Sequence, residues 1–88
     1  MLRITAIKSP RHSVTLRLEG QIIDRWVREL SASCEQGLTN SGRLILDLIG
    51  VSFIDGDGLA LMQSLLARDV SLVNPSPFVA ELLKRAGL

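Results

Sequence analysis

Between Leu44 and Leu66 the chain changes its hydrophobic period with no linker in between, and that change limits the folds open to it. Leu44-Ile45-Leu46-Asp47-Leu48 is an apolar run broken by one acid, the pattern of a central strand covered on both faces. Leu59, Leu61, Met62, Leu65 and Leu66 recur at helical spacing and predict a helix from near Gly58 to Ala67 or Arg68. Small and acidic residues, Asp55-Gly56-Asp57-Gly58, join the two. An apolar strand that runs through such a turn into a helix is the unit of an α/β domain.

The flanking sequence supplies compatible elements. Leu2, Ile4 and Ala6 alternate with Arg3, Thr5 and Ile7, and after the polar stretch Lys8–Ser13, which contains Pro10, Val14, Leu16 and Leu18 alternate with Thr15, Arg17 and Glu19 up to Gly20. Both runs have the period of half-buried strands and predict a hairpin. Asp24 is placed to cap a helix running to about Glu35, with Trp26, Val27, Leu30 and Cys34 as its apolar stripe. Gly37 offers a left-handed stop and Thr39-Asn40-Ser41-Gly42 a loop. Val70-Ser71-Leu72-Val73 predicts a last strand. Ser76 caps a last helix with Pro77 at its first position and an apolar stripe of Phe78, Val79, Leu82, Leu83 and Ala86, ended by Gly87. The order β-β-α-β-α-β-α with right-handed crossovers predicts an α/β fold, a mixed four-stranded sheet with helices mainly on one face. Residues 1–88 read as a single domain, with no internal repeat.

Composition narrows the chemistry. With 47% apolar residues, a chain of 88 residues can bury about 60–65% of its unfolded surface in one core. Ten basic and nine acidic side chains give a formal charge of +1, and Trp26, Phe53 and Phe78 are the only aromatic residues. Neither a phosphate-neutralising footprint nor a base-stacking platform is present, which argues against nucleic acid as a partner. Arg3, Lys8, Arg11 and Arg17 read as the solvated side of strands. Cys34 is the single cysteine, so no internal disulfide can form, and its place in the apolar stripe predicts a small buried hydrophobe in a reducing compartment. The lone His12 lies far away in sequence, which disfavours a Cys-His nucleophile.

No apolar run approaches the ~20 residues needed to cross a bilayer, and Met1-Leu2-Arg3-Ile4-Thr5 lacks the core of a secretory signal, so a soluble, cytoplasmic chain is expected. Asp55-Gly56-Asp57-Gly58 imitates the start of a calcium loop, but Leu59-Ala60-Leu61-Met62 continues it without an oxygen ligand. One Cys and one His cannot complete a zinc site. No phosphate-cradling glycine string occurs, so no cofactor and no metal are expected, and no catalytic residue is assigned. Asp47 is read as a loop anchor through hydrogen bonding.

The stretch Asp47–Ala60, with Leu18-Glu19-Gly20 before Asp24 and Val73-Asn74-Pro75-Ser76-Pro77 before the last helix, resembles STAS domains, the bacterial anti-sigma-factor antagonists and their relatives. The resemblance implies a non-catalytic interaction module whose docking surface comprises Asp55, Gly56, Asp57, Gly58 and Leu59, with Met62 on the following helix. It implies an anti-sigma-factor kinase as partner. In that family the phosphorylated Ser or Thr directly follows the aspartate that here is Asp55; this chain has Gly56, and then Asp57. The surface is implied, the phosphorylation switch is not. Gly58-Leu59-Ala60-Leu61 also resembles STAS subunits of lipid-transport ABC systems, which would make an ABC ATPase the partner. A small nucleotide-binding protein is the third reading, although two acids would repel a triphosphate.

Elementary electrostatics supports the same loop. A helix N-terminus carries about half a positive charge, so Asp55 and Asp57 should each gain roughly 0.3–1 kcal/mol there. Gly56 and Gly58 can adopt positive φ and leave backbone open to close approach. The second helix is shorter than is usual in the family, which leaves an apolar edge open and allows a homodimer.

Overall fold

The computed structural model describes residues 1–9 and 12–88; Pro10 and Arg11, in the expected hairpin turn, lie outside the described residues. The elements follow as β1 (Leu2–Ser9), β2 (Ser13–Ile22), α1 (Arg25–Ser41), β3 (Arg43–Ile54), α2 (Gly56–Leu66), β4 (Val70–Val73) and α3 (Pro77–Arg85). This is the expected order. The sheet runs β1-β2-β3-β4, antiparallel between β1 and β2 and parallel across β2, β3 and β4. Each parallel step needs a helical crossover, and α1 and α2 supply them.

Alternation decides which face is buried. Val14, Leu16 and Leu18 of β2 are buried, and Val14 and Leu16 stand opposite Leu44 and Leu46 of β3, also buried; Arg17 and Glu19 point the other way and are exposed. The α1 helix packs on β2 and β3, α2 on β3 and β4, and α3 on β3. Seventeen buried side chains, from Leu2 to Leu83, form one continuous aliphatic core, with Trp26 packed against its edge. Among the described residues no buried side-chain polar atom lacks a hydrogen-bond partner. Among the described residues no helix is long and apolar enough to cross a membrane.

Four boundaries differ from the sequence reading, each for a packing reason. The α1 helix does not stop near Glu35: it continues through Gly37 and the expected loop to Ser41, and Gly42, at φ 79°, is the left-handed cap whose amide donates to the Leu38 carbonyl. Gly37 is buried against the sheet, where a Cβ would come 3.0 Å from Leu44 Cδ1. Its bare backbone permits close helix–sheet contact, and that contact overrides the low helix propensity of glycine. Strand β3 extends six residues past Leu48 because β2 also continues past Gly20, to Ile22 opposite Ile54. Two register shifts between these strands put Ile49 and Gly50 on the surface, and this broken alternation hid the continuation. The α2 helix starts at Gly56, two residues early, and ends at Leu66. Finally, Asp24 stands at the N-cap of α1 at φ 49° with no side-chain cap bond.

Cys34 is fully buried, as its place in the stripe predicts. Burial pushes its thiol from 9.0 up to about 12, and the neighbouring Glu35 carboxylate adds to the shift. Glu35 itself accepts a hydrogen bond from Arg68 just beyond α2, which holds its carboxyl below the usual range.

Two outcomes follow from this packing. Gly42→Ala should destabilise the fold by about 1–2 kcal/mol, because an L-residue is strained at that φ even though a Cβ would touch nothing, and urea denaturation measures it. The folded state holds the Cys34 proton to higher pH than the unfolded chain does, so its contribution is complete below pH 9 and is lost as pH rises toward 12. An aromatic disulfide reagent at pH 8 should accordingly label Cys34 only on addition of denaturant; prompt labelling of the native protein would contradict the burial.

Candidate functional site

The carboxyl ends of β2 and β3 lie side by side, and both helices that follow start there. Asp55 joins them. Its amide donates to the Ile22 carbonyl at 3.0 Å, closing the end of β3 onto the end of β2. One carboxylate oxygen accepts from the Gly58 amide at 2.8 Å, which caps α2, and the other accepts from the Asp24 amide at 2.9 Å, at the start of α1. The side chain thereby sits at the starts of two helices and accepts from a backbone amide at each.

With Asp55 committed to the frame, the outward-facing positions are Gly56 and Asp57, both exposed in the first turn of α2. Gly56 and Gly58 both belong to the helix, and neither uses the positive φ open to glycine. Their roles are opposite. At Gly56 a Cβ would meet nothing within 4 Å, whereas at Gly58 it would come 2.6 Å from Ile54 Cγ2 and 2.9 Å from the Ile22 carbonyl oxygen. Gly58 is buried and exists to let α2 press onto the strand ends.

The six residues read from sequence as a docking surface therefore divide. Gly56 and Asp57 face solvent, Leu59 is half-buried and packed on the core, and Asp55 is partly buried and engaged by its hydrogen bonds. Gly58 and Met62 are corrected: both are buried, Met62 completely, because the apolar stripe of α2 faces the sheet, and neither can present a side chain to a partner.

Sequence reasoning missed a neighbouring aromatic pair. Phe53, four residues before Asp57, stacks on Phe78 of α3 with ring centroids 6.2 Å apart and an interplanar angle of 25°. The rings remain 38% and 55% exposed, so Phe78 is not part of the buried stripe of α3 that its spacing suggested; Val79 and Leu83 are.

Asp47 anchors a loop, as read from sequence. Its Oδ1 accepts from the Ile49 amide at 3.1 Å and from Asn74 Nδ2 at 3.2 Å, with Arg17 Nε 3.8 Å from Oδ2. This holds the turn after β4, where Asn74 sits at φ 57°. Among the described residues no three His, Cys, Asp or Glu side chains converge as a metal site.

Comparison with known proteins now decides the family. The family model described as "Mlab, STAS domain" matches residues 5–88, nearly the whole chain. The chain belongs to the STAS family. No curated protein sequence matches this STAS domain significantly. Among solved structures it is similar to the anti-sigma factor antagonist SpoIIAA in its unphosphorylated form, with 21% identity, a TM-score of 0.70, and coverage of 93% of this chain and 82% of that one. The Bacillus cell fate determinant SpoIIAA in the phosphorylated form gives 22% identity and a TM-score of 0.71 over 98% and 85% of the two chains. A serine-to-glutamate variant of RsbS from Moorella thermoacetica gives 19% and 0.72 over 98% and 79%. At these identities the likeness establishes that this STAS domain shares their fold.

The two glycines give a paired outcome for this STAS domain. Gly58→Ala should cost about 1–3 kcal/mol by overpacking, while Gly56→Ala should be neutral or slightly stabilising in the first helical turn. Equal urea midpoints for the two variants would contradict the close approach at Gly58.

Proposed function

We propose that this chain is a non-catalytic, cytoplasmic docking module of the anti-sigma-factor antagonist type, binding a regulatory protein through Gly56 and Asp57 and the adjoining Phe53–Phe78 pair. The observation that carries the reading is the division of labour between the two acids: Asp55 is consumed by the frame, while Asp57 stands exposed beside a residue with no side chain. A bare position next to a fixed negative charge admits close approach by a cationic partner surface. The stacked, half-exposed rings of Phe53, four residues before Asp57, and Phe78 are of a residue type enriched at interfaces.

The partner under this reading is an anti-sigma-factor kinase or a similar regulator. The loop is anionic at all times, and Gly56 offers no hydroxyl for a kinase to modify. A second reading keeps the surface and changes the partner to an ABC ATPase of a lipid-transport system; Gly58-Leu59-Ala60-Leu61 and the description of the matching family model favour it. Co-purification from the source cell distinguishes them by which class of protein is recovered.

Asp57→Lys should abolish capture of the partner in that experiment without shifting the urea midpoint, and a variant that retains every partner would overturn this surface. Phe78→Ala should weaken the same interaction roughly tenfold, the scale of a moderate hot-spot truncation. Incubation with the cognate kinase and ATP should leave the loop unmodified, whereas Gly56→Ser, for which a side chain has free space, should become an acceptor. Phosphate found by mass spectrometry on Ser52 or Ser64 of the unaltered protein would show that the acceptor had moved along the chain.

A further inference from the structure

Helix α1 lies over β2 and β3 and leaves the inner face of β1 without helical cover. A groove of about 340 Å³ opens there, floored by Ile4, Ala6, Val14 and Leu16 and walled by the α1 residues Ser33, Gln36, Gly37 and Asn40. It exists for two sequence reasons: Gly37 contributes no side chain to the wall, and Ala6 is too small to fill the floor. At the hairpin end the groove continues into a second depression that shares Lys8, Val14 and Asn40 with it and adds His12, Ser13 and Ser41. The charge there has one sign. Among the described residues lining either depression, Lys8 is the one charged side chain and no carboxylate occurs.

We propose that this groove binds a small amphiphilic anion, a molecule with a short alkyl body and a carboxylate or similar monoanionic head. The alkyl body lies on the aliphatic floor, and the head meets the Lys8 ammonium beside the donors of Ser13 and Asn40. Size favours a small molecule over a protein segment. At about 30 Å³ per water-sized group the groove holds roughly eleven such groups, in the lower range of small-molecule sites. A helix of ~10–12 Å diameter would seat only a side chain or two in it. The site is separate from the Asp55–Asp57 turn and independent of the docking reading.

The test is an NMR titration of the full, ¹⁵N-labelled chain with octanoate, alongside octanol and octyltrimethylammonium. Saturable shifts centred on Ala6, Lys8, Val14, Ser33 and Gly37 are expected, with octanoate binding about tenfold more tightly than octanol, the effect of one charge-assisted contact. Lys8→Glu, at an exposed side chain, should remove that preference and leave octanol binding intact. Ala6→Trp should fill the floor and abolish binding of both. Absence of saturable shifts, equal binding of the cationic amphiphile, or octanoate affinity unchanged in Lys8→Glu would overturn the proposal. So would shifts in the same residues produced by protein concentration alone, which would assign the groove to a second copy of the chain. If Ala6→Trp fails to fold, Lys8→Glu and the three-ligand comparison still decide.

Discussion

Asp55 makes three bonds that the rest of the architecture depends on. In a parallel pair such as β2 and β3 the carboxyl ends point the same way, so the helices following them must both begin at that end of the sheet. Two sets of free helix amides then converge on one small region and need an acceptor. A single carboxylate with two oxygens, held by its own amide to the Ile22 carbonyl, caps α2 through the Gly58 amide and fixes the residue before α1 through the Asp24 amide. The positive φ of Asp24 fits the same picture. The backbone there adopts a conformation costly for any L-residue, φ 49° with ψ −130°, and presents its amide to Asp55.

This geometry explains why acids accumulate at the turn without being equivalent. The crevice beyond the carboxyl ends of parallel strands is where open α/β sheets place their functional groups, because the turns there are free of ladder bonds. In this chain the first acid of the turn belongs to the fold and the second to the surface. Gly56 and Gly58 divide in the same way. Gly58 is demanded by the Ile22 and Ile54 atoms that would collide with a Cβ, whereas no atom of the protein requires glycine at position 56. The bare position is a feature of the exposed surface.

Much of this was legible in the sequence because period and end signals agreed. The alternation in Leu2–Ile7 and Val14–Leu18, the Ser76-Pro77 start and the helical spacing after Gly58 each placed an element correctly. The failures came where tertiary contact overrides local signal. Gly37 has the composition of a helix stop, yet it is a packing residue whose role depends on Leu44, distant in the pattern and adjacent in space. Ile49-Gly50 interrupts the alternation only because β2 and β3 shift register there. At the site, residue type alone could not tell Asp55 from Asp57, or a buried Met62 from an exposed one; the direction of the α2 stripe had to be known. The Phe53–Phe78 pair joins two elements 25 residues apart and left no periodic trace.

A formal charge of +1 conceals how unevenly the charge is placed. Asp24, Asp55 and Asp57 gather at the carboxyl end of the parallel strands, and among the described residues Asp24 and Asp57 enter no ion pair. Lys8 and His12 sit at the hairpin, at the other end of β2, while Arg43 nearby is offset by Asp69 at 3.8 Å. The molecule extends 32 Å along its longest axis, several times the ~8 Å screening length at physiological ionic strength, so a partner at one end does not feel the other. Under the two proposals a cationic protein surface would meet the α2 start and an anionic ligand the hairpin end, so near neutrality is compatible with two sites of different chemistry on one small sheet.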